Sequence, residues 1–165
     1  MDFPRRKRNR LTGFNYSSKG SYFITICVKD RHNILGRLVG GGVLDAPRIE
    51  LSEYGVIAEK YINSIDRAYK NISLDKYVIM PNHIYLILTV CNSGDGTSRT
   101  PSHTNALVPL FVSTFKRFTN KNCGFSIFQR SYHDHIIRNE QEYQKIWQYI
   151  GANPRMWEED CFYEC

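Results

Sequence analysis

The sequence of 165 residues lacks the features that would place it in several specialised protein classes. It has no run of about eighteen or more apolar residues, so we expect no membrane-spanning helix. Its first residues include a basic run but no apolar stretch followed by a small-residue cleavage site, so we expect a cytoplasmic protein without a secretory signal. Internal repeats and heptads are also lacking, and the length fits one domain better than two.

Cysteine occurs in an arrangement that argues against two common kinds of site. The five cysteines are odd in number and form no Cys-x-x-Cys pair. That spacing excludes zinc-ribbon and thioredoxin-type sites. We therefore expect reduced thiols, with Cys27 buried in a strand.

The positive charge is concentrated at the N-terminus. Lys and Arg number 22 against 16 Asp and Glu, a net charge of +6. Residues 1–10 hold five basic residues against one acidic residue, so +4 of this charge lies there: the basic residues are Arg5, Arg6, Lys7, Arg8 and Arg10. A basic arm (residues 1–20) on a nearly neutral domain (residues 21–165) indicates binding to a polyanion, and the alternative is a solvated tail that keeps the protein soluble.

The hydrophobic pattern predicts an α+β fold. Hydrophobic residues make up 42% and charged residues 23%, which allows a packed core and excludes global disorder. The predicted elements are a strand at 22–28, a hairpin at 34–51, a helix capped by Ser52, strands at 74–79 and 83–90, a polar loop at 92–105, a helix at 107–119, a strand around 127–137 and a helix at 139–152. This order predicts a ferredoxin-like β-α-β-β-α-β core, a mainly antiparallel sheet with helices on one face. The hairpin is an insertion, and a C-terminal helix follows the core.

The most apolar strand begins with a motif of chemical interest. His83 and Tyr85 are two residues apart, so both side chains face the same side of the sheet. Residues 80–86, MPNHIYL, resemble the Met-Pro-Asn-His-hydrophobic-His-Leu signature of HUH transposases, in particular the REP-associated, single-tyrosine group.

Further segments resemble the same family in the same order along the chain. They are RNRLTGFNY at 8–16, GSYFITIC at 20–27, STFK at 113–116, FQRSYHDHIIR at 128–138, and the last helix from Glu142 to Ile150 followed by Asn153 and Pro154. The resemblance therefore spans almost the whole chain. It implies that the last helix carries the nucleophile.

The resemblance also implies a reaction and a cofactor. Tyr149 would attack a phosphodiester of single-stranded DNA, giving a 5′-phosphotyrosine and a free 3′-hydroxyl. In this family two strand histidines and a polar residue after the tyrosine hold a divalent ion, Mg or Mn. Here the polar residue would be Asn153, four residues after Tyr149 and thus on the same helix face. Without the resemblance, Tyr149 would be an ordinary interfacial aromatic residue.

Position 85 departs from the family pattern, because tyrosine stands where the second histidine should be. Imidazole binds divalent ions while neutral, whereas a phenol is a poor ligand until it loses its proton at a pKa of about 10. With His83 and Asn153 as the remaining ligands, we expect weak metal affinity and impaired cleavage. Tyr85 could still coordinate the ion as a phenolate or orient a metal-bound water.

Three further groups of residues complete the candidate site. His133 and His135 lie on one face of a predicted strand. They are either surface histidines near the DNA or, in the case of His135, a substitute ligand for the metal ion. The basic arm and four further cations could follow the phosphate backbone: Lys116, Arg117, Arg130 and Arg138. Four aromatic residues could stack on unpaired bases: Phe14, Tyr16, Phe128 and Tyr132.

Three functions follow from these observations. The first is a metal-dependent nickase or strand transferase acting on single-stranded or hairpin DNA, as a monomer or homodimer. The second is a DNA-binding relative that has lost cleavage through Tyr85 and acts as a binder or regulator. The third is a phosphodiester enzyme of another substrate class that shares only the fold.

Overall fold

The structure is a computed structural model that describes residues 19–91 and 107–162. Residues 1–18 of the basic arm, which include its five cations at positions 5–10 together with Phe14 and Tyr16, lie outside the described residues, as does the predicted loop at 92–105. Within them the four cysteines, including the buried Cys27, are free thiols, in agreement with the sequence.

The elements follow the predicted order, with a further short helix at Ile65–Ala68. They are β1 (Gly20–Cys27), β2 (Gly36–Val39), β3 (Arg48–Leu51), α1 (Glu53–Ile62), α2 (Ile65–Ala68), β4 (Ile72–Ile79), β5 (His83–Val90), α3 (Leu107–Cys123), β6 (His133–Ile137) and α4 (Glu140–Ala152). Short 3-10 helices follow β1 (Lys29–Arg31) and α4 (Asn153–Glu159). None of the helices in the described ranges is long and apolar enough to cross a bilayer.

The last strand is shorter than the prediction of 127–137. Before β6, Phe128 forms only an isolated bridge with Val28. The ammonium group of Lys116 donates to the carbonyl oxygens of Gln129 (2.9 Å) and Ser131 (2.7 Å). These carbonyls bind a side chain instead of a neighbouring strand, so regular pairing begins only at His133.

Four strands form an antiparallel sheet in the order β4-β5-β1-β6. β1 lies in the interior of the sheet and pairs with β5 along its whole length and with β6 over Ser21–Thr25. β2 and β3 form a separate two-stranded hairpin. This order confirms the predicted ferredoxin-like core and its hairpin insertion.

The two faces of the sheet are covered by different helices. Ile84, Leu86 and Leu88 of β5 belong to a core with α1 and α3, whereas Tyr85 and Ile87 pack against α4. Helices α1 and α3 therefore share one face as predicted, and the tyrosine-bearing helix α4 covers the other. Burial on both faces explains why β5 is almost continuously apolar.

Helix α1 begins at a capped and crowded turn. Ser52 accepts a hydrogen bond from the backbone N–H of Gly55 (3.2 Å) and donates to the carbonyl oxygen of Ile34 (2.5 Å). A Cβ atom on Gly55 would collide with the carbonyl oxygen of Leu35. Glycine at this position lets the helix lie against the strand-to-hairpin connection.

This contact predicts a clear effect of Gly55→Ala. Alanine is intrinsically better in a helix by about 1 kcal/mol, yet we expect a net loss of about 1–3 kcal/mol in the free energy of unfolding because the methyl group overpacks the turn. Gly42→Ala is the matched control, since a Cβ there meets no atom within 4 Å. Urea denaturation of the two variants measures the difference, and equal stabilities would show that the turn at Gly55 relaxes freely.

Candidate active site

Three parts of the chain bring the site together on the α4 face of the sheet. β5 contributes His83 and Tyr85, whose register partners on β1 are Cys27 and Thr25. The C-terminal half of α4 carries Tyr149, and the 3-10 helix that follows it begins with Asn153. The chain then turns back over β5, so residues distant in sequence meet at one point.

Asp160 lies at the centre of this arrangement. Its Oδ2 atom accepts hydrogen bonds from Tyr149 (3.0 Å), Tyr85 (3.2 Å) and the amide of Asn153 (3.0 Å). Its Oδ1 atom accepts the backbone N–H of Phe162 (2.8 Å). The hydroxyl oxygens of Tyr85 and Tyr149 are themselves 3.1 Å apart. One buried carboxylate thus gathers the residues that the family resemblance selects and fixes their side chains.

The imidazole of His83 presents a nitrogen to the same point. His83 is fully buried, and its Nδ1 atom lies 2.8 Å from Oδ1 of Asn82. The Nδ2 atom of Asn82 donates to the carbonyl oxygens of Phe162 (2.7 Å) and Arg31 (3.3 Å), which fixes Oδ1 as the acceptor. Nδ1 of His83 therefore carries the proton, and the lone pair of Nε2 faces Oδ2 of Asp160 at 4.0 Å.

The environment sets the charge of each group. Burial lowers the pKa of His83, despite the nearby Asp160 carboxylate, so the imidazole is neutral. Burial raises the pKa of Tyr85 and of Tyr149, so both keep their protons. Burial alone would raise the pKa of Asp160, but hydrogen bonds from Asn153 and the Phe162 N–H outweigh it and lower that pKa. The site is therefore one carboxylate among neutral groups.

Tyr149 differs from its neighbours in being accessible. Its side chain is 42% exposed, whereas Tyr85 is 2% exposed. The ring of Tyr149 packs edge-on against Phe23 and lies 5.4 Å from the ring of Tyr85. Tyr149 therefore lies at the surface of the site, whereas Tyr85 is buried.

The second pair of histidines lies elsewhere on this face. In the sheet register, His133 is opposite Thr25 and His135 is opposite Phe23, so both lie on β6 with β1 between them and β5. His135 binds Glu142 at the start of α4 through its Nε2 atom (2.6 Å). This placement separates the pair from His83 and gives His135 a structural partner.

Four residues that the structure describes were predicted to contact the phosphate backbone, and two of them line the same pocket. Lys116 and Arg130 line a concavity of about 730 Å³, whereas Arg117 and Arg138 do not. The remaining residues of its lining are Lys29, Asp30, Arg31, Asn120, Ser126, Phe128 and Gln129. Burial lowers the pKa of Lys116 to about 8, which leaves it charged at neutral pH.

Sequence reasoning missed Asp160 and the cations Lys29 and Arg31. Asp160 follows Glu158 and Glu159, and nothing in that acidic run marks one carboxylate as buried. Lys29 and Arg31 follow the first strand. Their position at a strand end beside the core was the one sequence feature that could have indicated them. Asp30 and Arg31 both have a φ of 55°, a conformation rare outside glycine that turns the chain sharply at the pocket.

Metal-binding residues are few in this site. Among residues 19–91 and 107–162, no group of three or more His, Cys, Asp or Glu side chains is arranged to hold an ion. Two buried polar atoms, Nε2 of His83 and Oδ1 of Asn153, have no hydrogen-bond partner in the described part of the chain. Such atoms are rare in native structures, and a bound ion is one explanation for them.

Comparison with known proteins identifies a related protein and a solved structure with a similar fold. No protein-family model matches it. An uncharacterised protein of Haemophilus influenzae is 30% identical over 173 residues, covering 96% of this chain and 93% of that protein. A solved structure of the REP-associated tyrosine transposase bound to a REP hairpin has a TM-score of 0.59 at 20% identity, covering 84% of this chain and 68% of that one. The chain belongs to the family of the Haemophilus influenzae protein and has the fold of the REP-associated tyrosine transposase, the group that its sequence resembles.

Proposed function

We propose that this protein binds single-stranded or hairpin DNA and cleaves and transfers a strand through a covalent bond to Tyr149. The observation that carries the proposal is the hydroxyl of the partly exposed Tyr149, hydrogen-bonded to the buried Asp160 carboxylate, which also lies 4.0 Å from the imidazole of His83. The fold supports the substrate class, because the transposase that shares it was solved bound to a REP hairpin.

The reaction follows from a phenol hydroxyl at this position. The Tyr149 oxygen forms a bond to phosphorus, and the bond from phosphorus to the 3′ oxygen breaks. The phenol loses one proton and the leaving 3′ oxygen gains one, so the step needs no other reactant. Because burial raises the pKa of Tyr149, its hydroxyl is protonated in the free protein and must lose its proton as the bond to phosphorus forms.

His83 and Asn153 are the residues that would hold Mg²⁺ or Mn²⁺. Their unpartnered Nε2 and Oδ1 atoms are donors of the kinds that such ions accept. A bound divalent ion would offset the charge that develops on the phosphate. Tyr85 is a poor third ligand because its raised pKa keeps the hydroxyl protonated. These two residues alone would give weak affinity.

The cationic pocket is the proposed path of the phosphate backbone. Lys29, Arg31, Lys116 and Arg130 bring four positive charges to one concavity, with Asp30 as the one acidic residue in its lining. Phe128 also lines this space, but it is buried in the core and its ring packs against Phe115, so base stacking on it stays a prediction. Arg117, Arg138 and the basic arm stay further candidates for phosphate contact.

We expect the pocket cations to govern the salt dependence of DNA binding. The double change Arg31→Gln and Arg130→Gln should weaken hairpin DNA binding and reduce the slope of log affinity against log salt by about 1 per lost phosphate contact. Fluorescence anisotropy at several salt concentrations gives the slope. Arg37→Gln is the control, because Arg37 lies on β2 and its guanidinium binds Glu50. If the double variant and the Arg37→Gln control give equal slopes, the pocket does not contact the DNA phosphates.

A second candidate function is a DNA-binding relative without cleavage activity. The specific observation in its favour is Tyr85, a protonated phenol at the position of the second motif histidine. Labelled hairpin DNA incubated with the protein and Mn²⁺, then run on a denaturing gel, distinguishes the two candidates. A covalent adduct supports the strand transferase, and binding without an adduct supports the binder or regulator.

A further inference from the structure

Asp160 and His83 are separated by a distance that one metal ion would span. Oδ2 of Asp160 lies 4.0 Å from Nε2 of His83, and their side chains are 1% and 0% exposed. Mg²⁺ binds its ligands octahedrally at about 2.0–2.1 Å, so two atoms bound to one ion lie about 3 Å apart when adjacent and about 4.2 Å apart when opposite. The separation of these two atoms is close to that of opposite ligands.

Asn153 completes a set of three donors around the same point. Its Nδ2 atom is 3.0 Å from Oδ2 of Asp160, while its Oδ1 atom has no partner within the described residues. Rotation of the amide by a half-turn exchanges these two atoms and presents Oδ1 instead. Nε2 of His83 is likewise buried without a partner in the part of the chain that the structure describes. Both unpartnered atoms therefore belong to residues that adjoin Asp160.

We propose that Asp160 is the third protein ligand of a divalent cation site with His83 and Asn153, replacing the second histidine of the family motif. A carboxylate suits Mg²⁺ and Mn²⁺ because both prefer oxygen ligands, and it contributes a negative charge that an imidazole would not. The use of this cation in strand cleavage rests on the proposed function. The binding of the cation does not.

The surroundings hold two of the three ligands, His83 and Asp160, in place. Asn82 contacts both ligand-bearing segments, since it binds Nδ1 of His83 and the carbonyl oxygen of Phe162. The N–H of Phe162 in turn binds Oδ1 of Asp160. Tyr85 donates to Oδ2 of Asp160 and is thus a positioning residue at the place where the family has a ligand. Such supporting contacts orient metal ligands and raise their affinity.

The test is direct titration of the protein with Mn²⁺, without DNA. Calorimetry should show one Mn²⁺ per chain for the natural sequence and an affinity at least tenfold lower for Asp160→Asn, in line with the about 10–100-fold cost of losing even a supporting residue. Glu159→Gln is the matched control, because Glu159 is the exposed neighbouring carboxylate. It should bind Mn²⁺ like the natural protein. Equal affinities for Asp160→Asn and the natural protein would overturn the proposal.

A second measurement uses the natural protein alone, in case Asp160→Asn fails to fold. Substoichiometric Mn²⁺ should broaden the NMR signals of the His83 imidazole and the Asn153 amide before those of His135. Simultaneous broadening of His135, or none at His83, would also overturn the proposal. Mn²⁺ binding that depends on Asp160, in a protein that forms no DNA adduct, would uphold the site and overturn the proposed function. Adduct formation by the natural protein, together with an unchanged Mn²⁺ affinity in Asp160→Asn, would support the proposed function and overturn the proposed site.

Discussion

Tyr149→Phe is expected to abolish the covalent attachment of DNA while leaving the fold and DNA binding nearly intact. Phenylalanine keeps the ring that packs against Phe23 and Tyr85 and removes only the attacking oxygen. The lost hydrogen bond to Asp160 should lower the free energy of unfolding by about 0.5–1.5 kcal/mol. Adduct formation on a denaturing gel and anisotropy with hairpin DNA measure the two properties separately.

Tyr143→Phe is the matched control for that variant. Tyr143 lies on the same helix, and its hydroxyl also donates to a carboxylate, Oδ2 of Asp75 (2.9 Å). It lies outside the hydrogen bonds around Asp160, so its removal should leave the adduct unchanged. Mapping of the covalent bond to Tyr143 or Tyr132 in the natural protein would instead show that the last helix has been aligned incorrectly with the family.

The elements of the fold could be predicted because each has a local cause. Ser52 caps α1 as its position before an apolar helical pattern indicates, and its side chain binds Gly55 in the expected way. The apolar run of β5 and the turn at 80–82 gave the bounds of that strand correctly. The start of β6 was harder to predict, because a lysine from α3 binds the carbonyl groups of Gln129 and Ser131. A contact of that kind depends on the tertiary structure.

The residues of the candidate site also differ in whether the sequence alone could predict them. His83, Tyr85, Tyr149 and Asn153 could be selected from sequence because the resemblance covers them, and the structure brings these four side chains to one point. Asp160 could not be selected, since only the turn of the chain after Asn153 buries it. Their roles in metal binding and cleavage stay predictions. His135 is separated from this point because β1 lies between β6 and β5. The register of these strands could not be predicted from the sequence alone.

Tyr85→His is the change with the largest expected gain. Histidine at position 85 would face the same point as His83 and add a neutral nitrogen where a protonated phenol now lies. We expect it to raise Mn²⁺ affinity and metal-dependent cleavage by one or more orders of magnitude, since a metal ligand should be worth at least the about 10–100-fold of a supporting residue. Single-turnover cleavage of hairpin DNA at several Mn²⁺ concentrations measures both. Tyr85→Phe, which removes the hydroxyl without adding a ligand, should give no gain.

The same change should also rescue Asp160→Asn. If Asp160 has taken the place of the second histidine, restoring that histidine returns a third ligand to a site left with His83 and Asn153. The gain from Tyr85→His should therefore be larger with Asn at position 160 than with Asp, a coupling that a double-mutant cycle on Mn²⁺ affinity measures. Equal gains in the two backgrounds would mean that positions 85 and 160 act independently. Robust cleavage by the natural protein, with Tyr85→His neutral or harmful, would show that tyrosine at position 85 does not impair the site.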